Sequence, residues 1–258
     1  MIRFPQRGWL FDLDGTIYLG DALVPGADAV VRTLRGDGRR VAFLSNKPLQ
    51  TREDYARKLT ALGIAADPDD VINSSLVLAR HLTTLDAGAP VFVIGEPPLI
   101  AELTACGFEV RRDHRVRWVV IAFDRTFDYA KLHIALQAVR AGARLIATNP
   151  DRTCPTAEGE IPDCAGMIAA VEAVTGETVE IVVGKPSPII LEVALRRLGV
   201  TAADCVIVGD RLETDIVMGK RHGLATVLVL SGITRAGDPR IAEIGPDAVL
   251  PSVRELIT

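Results

Sequence analysis

The chain has 258 residues, 48% of them hydrophobic and 24% charged, with a formal net charge of −4. That is the make-up of a globular protein with a sizeable core; the acidic balance argues against a nucleic-acid partner, and no apolar run approaches the roughly 18 residues of a membrane span. The four cysteines, Cys106, Cys154, Cys164 and Cys205, form no CxxC pair, so neither a zinc site nor a disulfide framework is expected, and reduced thiols in a cytoplasmic protein are.

Strand and helix patterns alternate along the chain, which predicts an α/β fold with a mainly parallel sheet. Residues 9–12 read as the first strand, entered too soon after the N-terminus to leave room for a signal peptide. GTIYLGDALVPG (15–26) is too glycine-rich for a helix and reads as a turn or short hairpin folded over the strand end. A helix follows over about 26–36, then the strand VAFLS (41–45). TREDYARKLTALG (51–63) has a helical stripe of Tyr55, Leu59 and Leu62, with Thr51 as its cap and Gly63 at its end. VIN (71–73) is a short strand, with Ser74 or Ser75 capping the next helix.

DAGAP (86–90) reads as a linker, after which a second α/β unit begins. Its expected strands are VFVIG (91–95), VRWVVIAF (116–123) and ARLIATN (143–149). Its expected helices are 97–106, 128–142 with Tyr129, Leu132, Leu136 and Val139 on one face, and 165–176. PDRTCPTAEGEIPDC (150–164) is expected to be a long loop of the kind that often carries function. EIVVG (180–184) then opens the second half of the first unit. It is followed by a helix over 187–199 capped by Ser187 with Pro188 at its start, the strand CVIVG (205–209), a helix near 213–222, the strand LATVLVL (224–230) and a final strand–helix pair near 247–257.

The chemistry concentrates in WLFDLDGT (9–16). On a strand, Asp12 and Asp14 share a face while Leu13 points into the core, and Gly15 permits a sharp exit. Two carboxylates this close repel one another, so a site that keeps them calls for a cation, a proton or both. Three other apolar runs also end in polar residues: VAFLS at Ser45, EIVVGK at Lys185 and CVIVGD at Asp210. If the four runs are neighbouring parallel strands, these residues meet at one edge of the sheet. Their types suit a phosphoryl group. A carboxylate can attack phosphorus, a metal held by carboxylates can polarise a phosphoryl oxygen, and a hydroxyl and an ammonium can stabilise the equatorial oxygens. Asp14 is placed for acid and base work.

DLDGT, then SN after a strand, then GKPSP, then GDRLETDI, in this order, resembles the haloacid dehalogenase superfamily of phosphatases over essentially the whole chain. The intervening segment resembles the large α/β (C2-type) cap of the branch containing nitrophenyl phosphatases, NagD-type nucleotidases, and pyridoxal phosphate and phosphoglycolate phosphatases. GARLIATNPDR with IPDCAGMIAAVE is most similar to the sugar-phosphate phosphatases of arabinose operons. The resemblance implies a Rossmann-like catalytic core from residues 1–87 and 179–258, with a cap inserted at 88–178. It implies Mg²⁺-dependent hydrolysis of small phosphorylated metabolites through an aspartyl phosphate. Asp12 would be the nucleophile and a metal ligand, and Asp14 the acid/base with its main-chain carbonyl on the metal. Asp210 would complete the protein ligands, and Asp215 would orient a metal-bound water. Ser45, Asn46 and Lys185 would hold the phosphoryl group, with Arg211 and Glu213 in less defined roles. The cap loop would reach the substrate through Cys154, where pyridoxal phosphatases carry a histidine before a proline. Dimerisation through the cap is common in the resembled families, so the resemblance allows a homodimer through the cap. A phosphomutase using the same aspartyl phosphate and a non-catalytic phosphometabolite-binding protein are the competing readings; a metal-free dehalogenase would have no use for Asp14 or the metal acids.

Overall fold

The computed structural model describes residues 4–156 and 158–257. The chain opens with β1 (Gly8–Asp12), a small hairpin β2 (Tyr18–Leu19) and β3 (Ala22–Leu23), α1 (Ala27–Gly36), β4 (Arg40–Ser45), α2 (Arg52–Ala61), β5 (Val71–Asn73) and α3 (Ser74–Asp86). A second stretch follows: β6 (Pro90–Ile94), α4 (Pro97–Ala105), β7 (Glu109–Arg111), β8 (Trp118–Ile121), α5 (Tyr129–Arg140), β9 (Arg144–Ala147), β10 (Thr153–Thr156), β11 (Gly159–Pro162), α6 (Cys164–Thr175) and β12 (Ile181–Val182). The chain closes with α7 (Pro188–Leu198), β13 (Cys205–Gly209), α8 (Val217–His222), β14 (Ala225–Val229), α9 (Arg240–Ile244) and β15 (Ala248–Leu250).

Two parallel sheets result. The first has six strands in the order β15-β14-β13-β1-β4-β5, and the second has five in the order β12-β9-β8-β6-β7. The second is inserted between α3 and α7, so the fold is a Rossmann-like core with an α/β insert. β1 lies mid-sheet, paired with β13 on one side and β4 on the other. All five of its residues are buried, as expected of a parallel strand covered on both faces. Trp9 and Phe11 enter one apolar cluster with α1 and α2, while Leu10 enters another on the opposite face. The helices close over these faces by ordinary amphipathic spacing: Ala27, Val30, Val31 and Leu34 of α1 are buried at the i, i+3, i+4, i+7 positions of one stripe. Thr51 caps α2 through a reciprocal box with Asp54, and Ser187 caps α7 with Pro188 at its first position. No helix among the described residues is long and apolar enough to cross a membrane.

Several expectations are corrected. EIVVG does not return to the six-stranded sheet: Ile181 and Val182 pair with Ile146 and Ala147 of the insert. A two-residue parallel strand with an apolar run reads the same in either sheet, and only pairing decides. The stretch 150–164 is no loop, because β10 and β11 pair antiparallel within it. On α5, Leu132 and Val139 of the expected stripe pack against the insert's core, but the fully buried residues are Ala135 and Ala138, and Tyr129 is 82% exposed. Asn73, not Ser74 or Ser75, caps α3 by accepting from Leu76 N at 3.0 Å. The helix expected near 213–222 begins as a π-helical turn, Leu212–Ile216, before α8. The C-terminal helix is a 3₁₀ turn, Val253–Leu256, and α9 was not foreseen.

Candidate active site

Three adjacent strands, β13, β1 and β4, bring polar residues to one edge of the core sheet. Asp12 ends β1, Ser45 ends β4 and Asp210 directly follows β13. Parallel strands finish on the same side, so three of the four sequence-predicted strand ends converge as expected. The fourth residue, Lys185, arrives from the insert, three positions beyond β12. Its ammonium, in a residue only 2% exposed, donates to Asp12 Oδ1 and, at 2.7 Å, to Asp215 Oδ1.

One carboxylate oxygen each from Asp12, Asp210 and Asp215 lies within 4.8 Å of the others, and all three residues are buried. Three carboxylates thus face one ammonium. Burial, reinforced by the charges of Asp215 and Asp210 and opposed by Lys185, holds Asp12 well above the usual carboxylate range. Burial and the Asp215 charge push Asp210 up to about 7. Burial alone would discharge Lys185, but Asp12 and Asp215 outweigh it and hold the ammonium above its ordinary value. Hard oxygen donors carrying surplus negative charge in a buried setting fit a hard divalent cation. The three acids could therefore hold a metal, and Asp215 stands as near to the cluster as the other two.

Main chain walls in these acids. Asp210 Oδ2 accepts from Ile233 N at 2.6 Å, and a side chain on Gly232 would overlap it. Gly15 has φ +90°, and a Cβ there would lie 2.5 Å from Asp210 Oδ2, so this glycine supplies both the turn and the clearance. The π-helical turn after Arg211 carries Asp215 back to the site, where its Oδ2 accepts from Arg211 N at 3.3 Å.

The remaining sequence-predicted residues divide. Asp14 lines the same cavity as Asp12, and its Oδ1 is 3.5 Å from Lys47 Nζ. Ser45 Oγ accepts from Lys47 N at 3.2 Å and contacts Tyr55 OH at 3.4 Å; the second distance is long enough for the bond to be given up readily. The Asn46 side chain turns to protein partners. Its Oδ1 accepts from Lys185 N at 2.8 Å, while its Nδ2 donates to Lys185 O at 3.0 Å and to Asp151 Oδ2 at 2.8 Å. Both donor hydrogens are committed to protein, so the side chain grips Lys185 and leaves only main chain for a phosphoryl group. Cys154 is buried on the β10–β11 hairpin and lines the cavity beside Lys47. Burial pushes this thiol up to about 11. Burial pulls Lys47 down, but Asp14 and Cys154 outweigh it and leave Lys47 above its ordinary value. Glu213 pairs instead with Arg240 on the surface.

Lys47, Asp151, Asp163 and Thr214 also line the cavity without having been singled out in the sequence. Lys47 sits one residue beyond the SN pair, and a basic residue directly after a strand-end motif was the available signal. Asp151 and Asp163 flank the hairpin and are joined by Asn149 Nδ2, at 2.8 and 3.1 Å; no periodicity links acids so spaced until the hairpin closes between them. The cavity itself measures about 50 Å³. Small-molecule sites usually enclose about 300 Å³ or more, so this space is too small for a sugar phosphate, and the hairpin is closed onto the core through Arg211 Nη2 and Thr153 O.

Residues 9–109 match the family of haloacid dehalogenase-like hydrolases, and residues 182–256 match a second, HAD-hydrolase-like model. Sugar-phosphatase AraL of Bacillus subtilis strain 168 is 40% identical over 250 residues, which is 96% of this chain and 91% of that protein. The 4-nitrophenylphosphatase of Thermotoga maritima superposes with a TM-score of 0.92 at 35% identity, covering 97% of this chain and 96% of that one. NagD of E. coli K-12 superposes with a TM-score of 0.86 at 32% identity, covering 98% of each chain. With the motif order and the converging strand ends, likeness over nearly the full length leaves one conclusion: the chain belongs to the haloacid dehalogenase-like hydrolases, on the branch of the AraL- and NagD-type phosphatases.

Proposed function

We propose that this protein is a Mg²⁺-dependent phosphomonoesterase acting on small phosphorylated metabolites, with sugar phosphates as the favoured class. The observation that carries the reading is Asp12, bonded by the Lys185 ammonium and grouped within 4.8 Å of Asp210 and Asp215 at the carboxyl edge of the core sheet. The likeness to a sugar-phosphatase supports the substrate class, as does a hairpin wall of small, weakly polar residues, Thr153, Cys154 and Pro155.

Asp12 attacks phosphorus; the new carboxylate–phosphorus bond forms as the bond to the leaving oxygen breaks. Asp14 gives that oxygen a proton, then takes one from the water that cleaves the aspartyl phosphate, which returns Asp12 as a carboxylate and releases inorganic phosphate. Lys185 and Ser45 face the oxygens on which charge builds. Asp12, Asp210 and the main-chain carbonyl of Asp14 are the proposed Mg²⁺ ligands, with Asp215 beside them; bound Mg²⁺ supplies positive charge against the acid cluster and polarises a phosphoryl oxygen. The insert, residues 88–178 extended to include β12, acts as the cap that sets specificity.

The test is phosphate release from nitrophenyl phosphate, sugar phosphates, phosphoglycolate, glycerol phosphate, nucleotides and pyridoxal phosphate, in Mg²⁺, in EDTA and with Asp12→Asn. Release that needs Mg²⁺ and disappears in Asp12→Asn is the expected result. Turnover that survives Asp12→Asn overturns the nucleophile assignment, and isomerised phosphate in place of free phosphate overturns hydrolysis.

A further inference from the structure

Asp151 lies four residues beyond the end of β9, on the insert, yet its partners come from both sides of the cleft. Oδ2 accepts from Asn149 Nδ2 within its own segment and from Asn46 Nδ2 at the end of β4, each at 2.8 Å. Oδ1 lies 3.8 Å from Arg211 Nε, directly after Asp210. Arg211 also donates from Nη2 to Thr153 O on the hairpin, at 2.8 Å. The carboxylate is 8% exposed, and in the closed arrangement these partners are what satisfies it in place of water.

What Asn46 does depends on which way its amide faces. Its Oδ1 takes the Lys185 N–H and its Nδ2 gives to Lys185 O, a two-point grip that works in one orientation only. Turned over, Asn46 would set its oxygen against the Asp151 carboxylate and its amino group against the Lys185 N–H. Asp151 therefore reinforces the orientation that Lys185 itself requires, and fixes where the Asn46 side chain stands. Gly184 belongs to the same clamp: its N–H donates to Thr148 O at 2.8 Å, and a Cβ there would come within 2.6 Å of Asn46 Oδ1.

We propose that Asp151 is a positioning residue: its carboxylate, brought down with the insert, orients Asn46 and anchors Arg211, and so sets Lys185 on Asp12 only when the cleft is closed. The inference rests on the phosphatase reading for its catalytic consequence, but the clamp on Lys185 can be measured without turnover.

The experiment compares the full-length wild type with Asp151→Ala and Asp151→Asn in Mg²⁺ with nitrophenyl phosphate, and follows backbone amide exchange in peptides covering residues 183–186. Misplacing a catalytic group by an ångström costs about 100-fold, so Asp151→Ala is expected to lose about that much kcat with KM within about threefold, and to speed exchange over 183–186. Asp151→Asn, which keeps an acceptor for Asn46 Nδ2, is expected to recover most of kcat and the slow exchange. Should Asp151→Ala not fold, Asp151→Leu, branched at Cγ as aspartate is and without an acceptor, replaces it with the same expectations. Wild-type kcat and unchanged exchange in the Ala or Leu variant overturn the proposal, as does an Asn variant as impaired as they are. If the wild type releases no phosphate, the phosphatase reading falls, and unchanged exchange over 183–186 in the variant still rejects the clamp.

Discussion

Asp210 owes its position to glycine. Gly15 and Gly232 pack against its carboxylate so closely that neither tolerates a Cβ, and Ile233 N–H holds one oxygen. Gly232→Ala is therefore expected to displace Asp210. We predict a fall in kcat/KM of about 100-fold, the scale of a misplaced catalytic group, and a higher Mg²⁺ concentration for half-maximal rate, checked by steady-state kinetics over a Mg²⁺ titration. Asp163 makes a separate prediction. Burial and the neighbouring Asp151 charge push it up to about 6. An acid raised in the folded state binds its proton more tightly there than when unfolded, so its contribution is fully present below about pH 4 and is lost as pH rises through about 6. Two units correspond to roughly 3 kcal/mol. Asp163→Asn keeps an Oδ1 acceptor for Asn149 Nδ2 and for Cys164 N, the second of which caps α6, but cannot ionise. The variant should be more stable than the wild type at pH 7 and about equal at pH 4, as urea denaturation at the two pH values would read; an unchanged gap at both would show that Asp163 is not the group responsible.

The elements that carry the site were unequally legible in the sequence. β1, β4 and β13 were readable because each is a short apolar run stopped by a polar residue, and three such stops on neighbouring parallel strands must converge. β12 was misassigned because a short apolar run does not reveal its sheet, and yet Lys185 still reached Asp12: the insert's last strand and the core edge lie together. The β10–β11 hairpin was invisible because TCPTAEGEIP alternates weakly and carries two prolines, while its pairing is fixed by Thr153↔Pro162 through Thr156↔Gly159 and by Arg211 holding Thr153 O. This hairpin is where substrate discrimination should reside. Trimming Cys154 to Ala opens the wall beside Lys47, and a change of one small group in a pocket alters selectivity by about 10-fold or more. Ratios of kcat/KM between sugar phosphates and nitrophenyl phosphate should shift by about that factor in Cys154→Ala. Ratios that stay flat would place discrimination on the core side of the cleft.

At the scale of the whole molecule, core and insert are joined in two ways that pull against substrate entry. A continuous apolar cluster runs from Leu10 and Leu44 of the core through Leu78 of α3 and Ile190 of α7 to Val91, Trp118 and Val120 of the insert. At the catalytic edge, Asn46, Arg211 and Asp151 tie the two units by polar contacts. Ligand sites of this kind usually enclose about 300 Å³ or more, whereas the space between the Asp12 edge and the hairpin is about 50 Å³. The polar contacts are the natural place to part, since water replaces hydrogen bonds at small net cost but does not replace a buried apolar cluster. Opening should thus hinge about the apolar side and swing the hairpin away from Asp12. Closure should then be driven by an anion at the phosphate position, whose charge Lys185, Arg211 and a bound cation all favour. Small-angle scattering with and without orthovanadate, in Mg²⁺, measures this directly. A free protein more extended than the closed structure and compacted by vanadate is the expected outcome. Identical profiles matching the closed structure would mean that the insert stays docked and that only the hairpin yields, and amide exchange confined to residues 153–162 would then mark the route by which substrate enters.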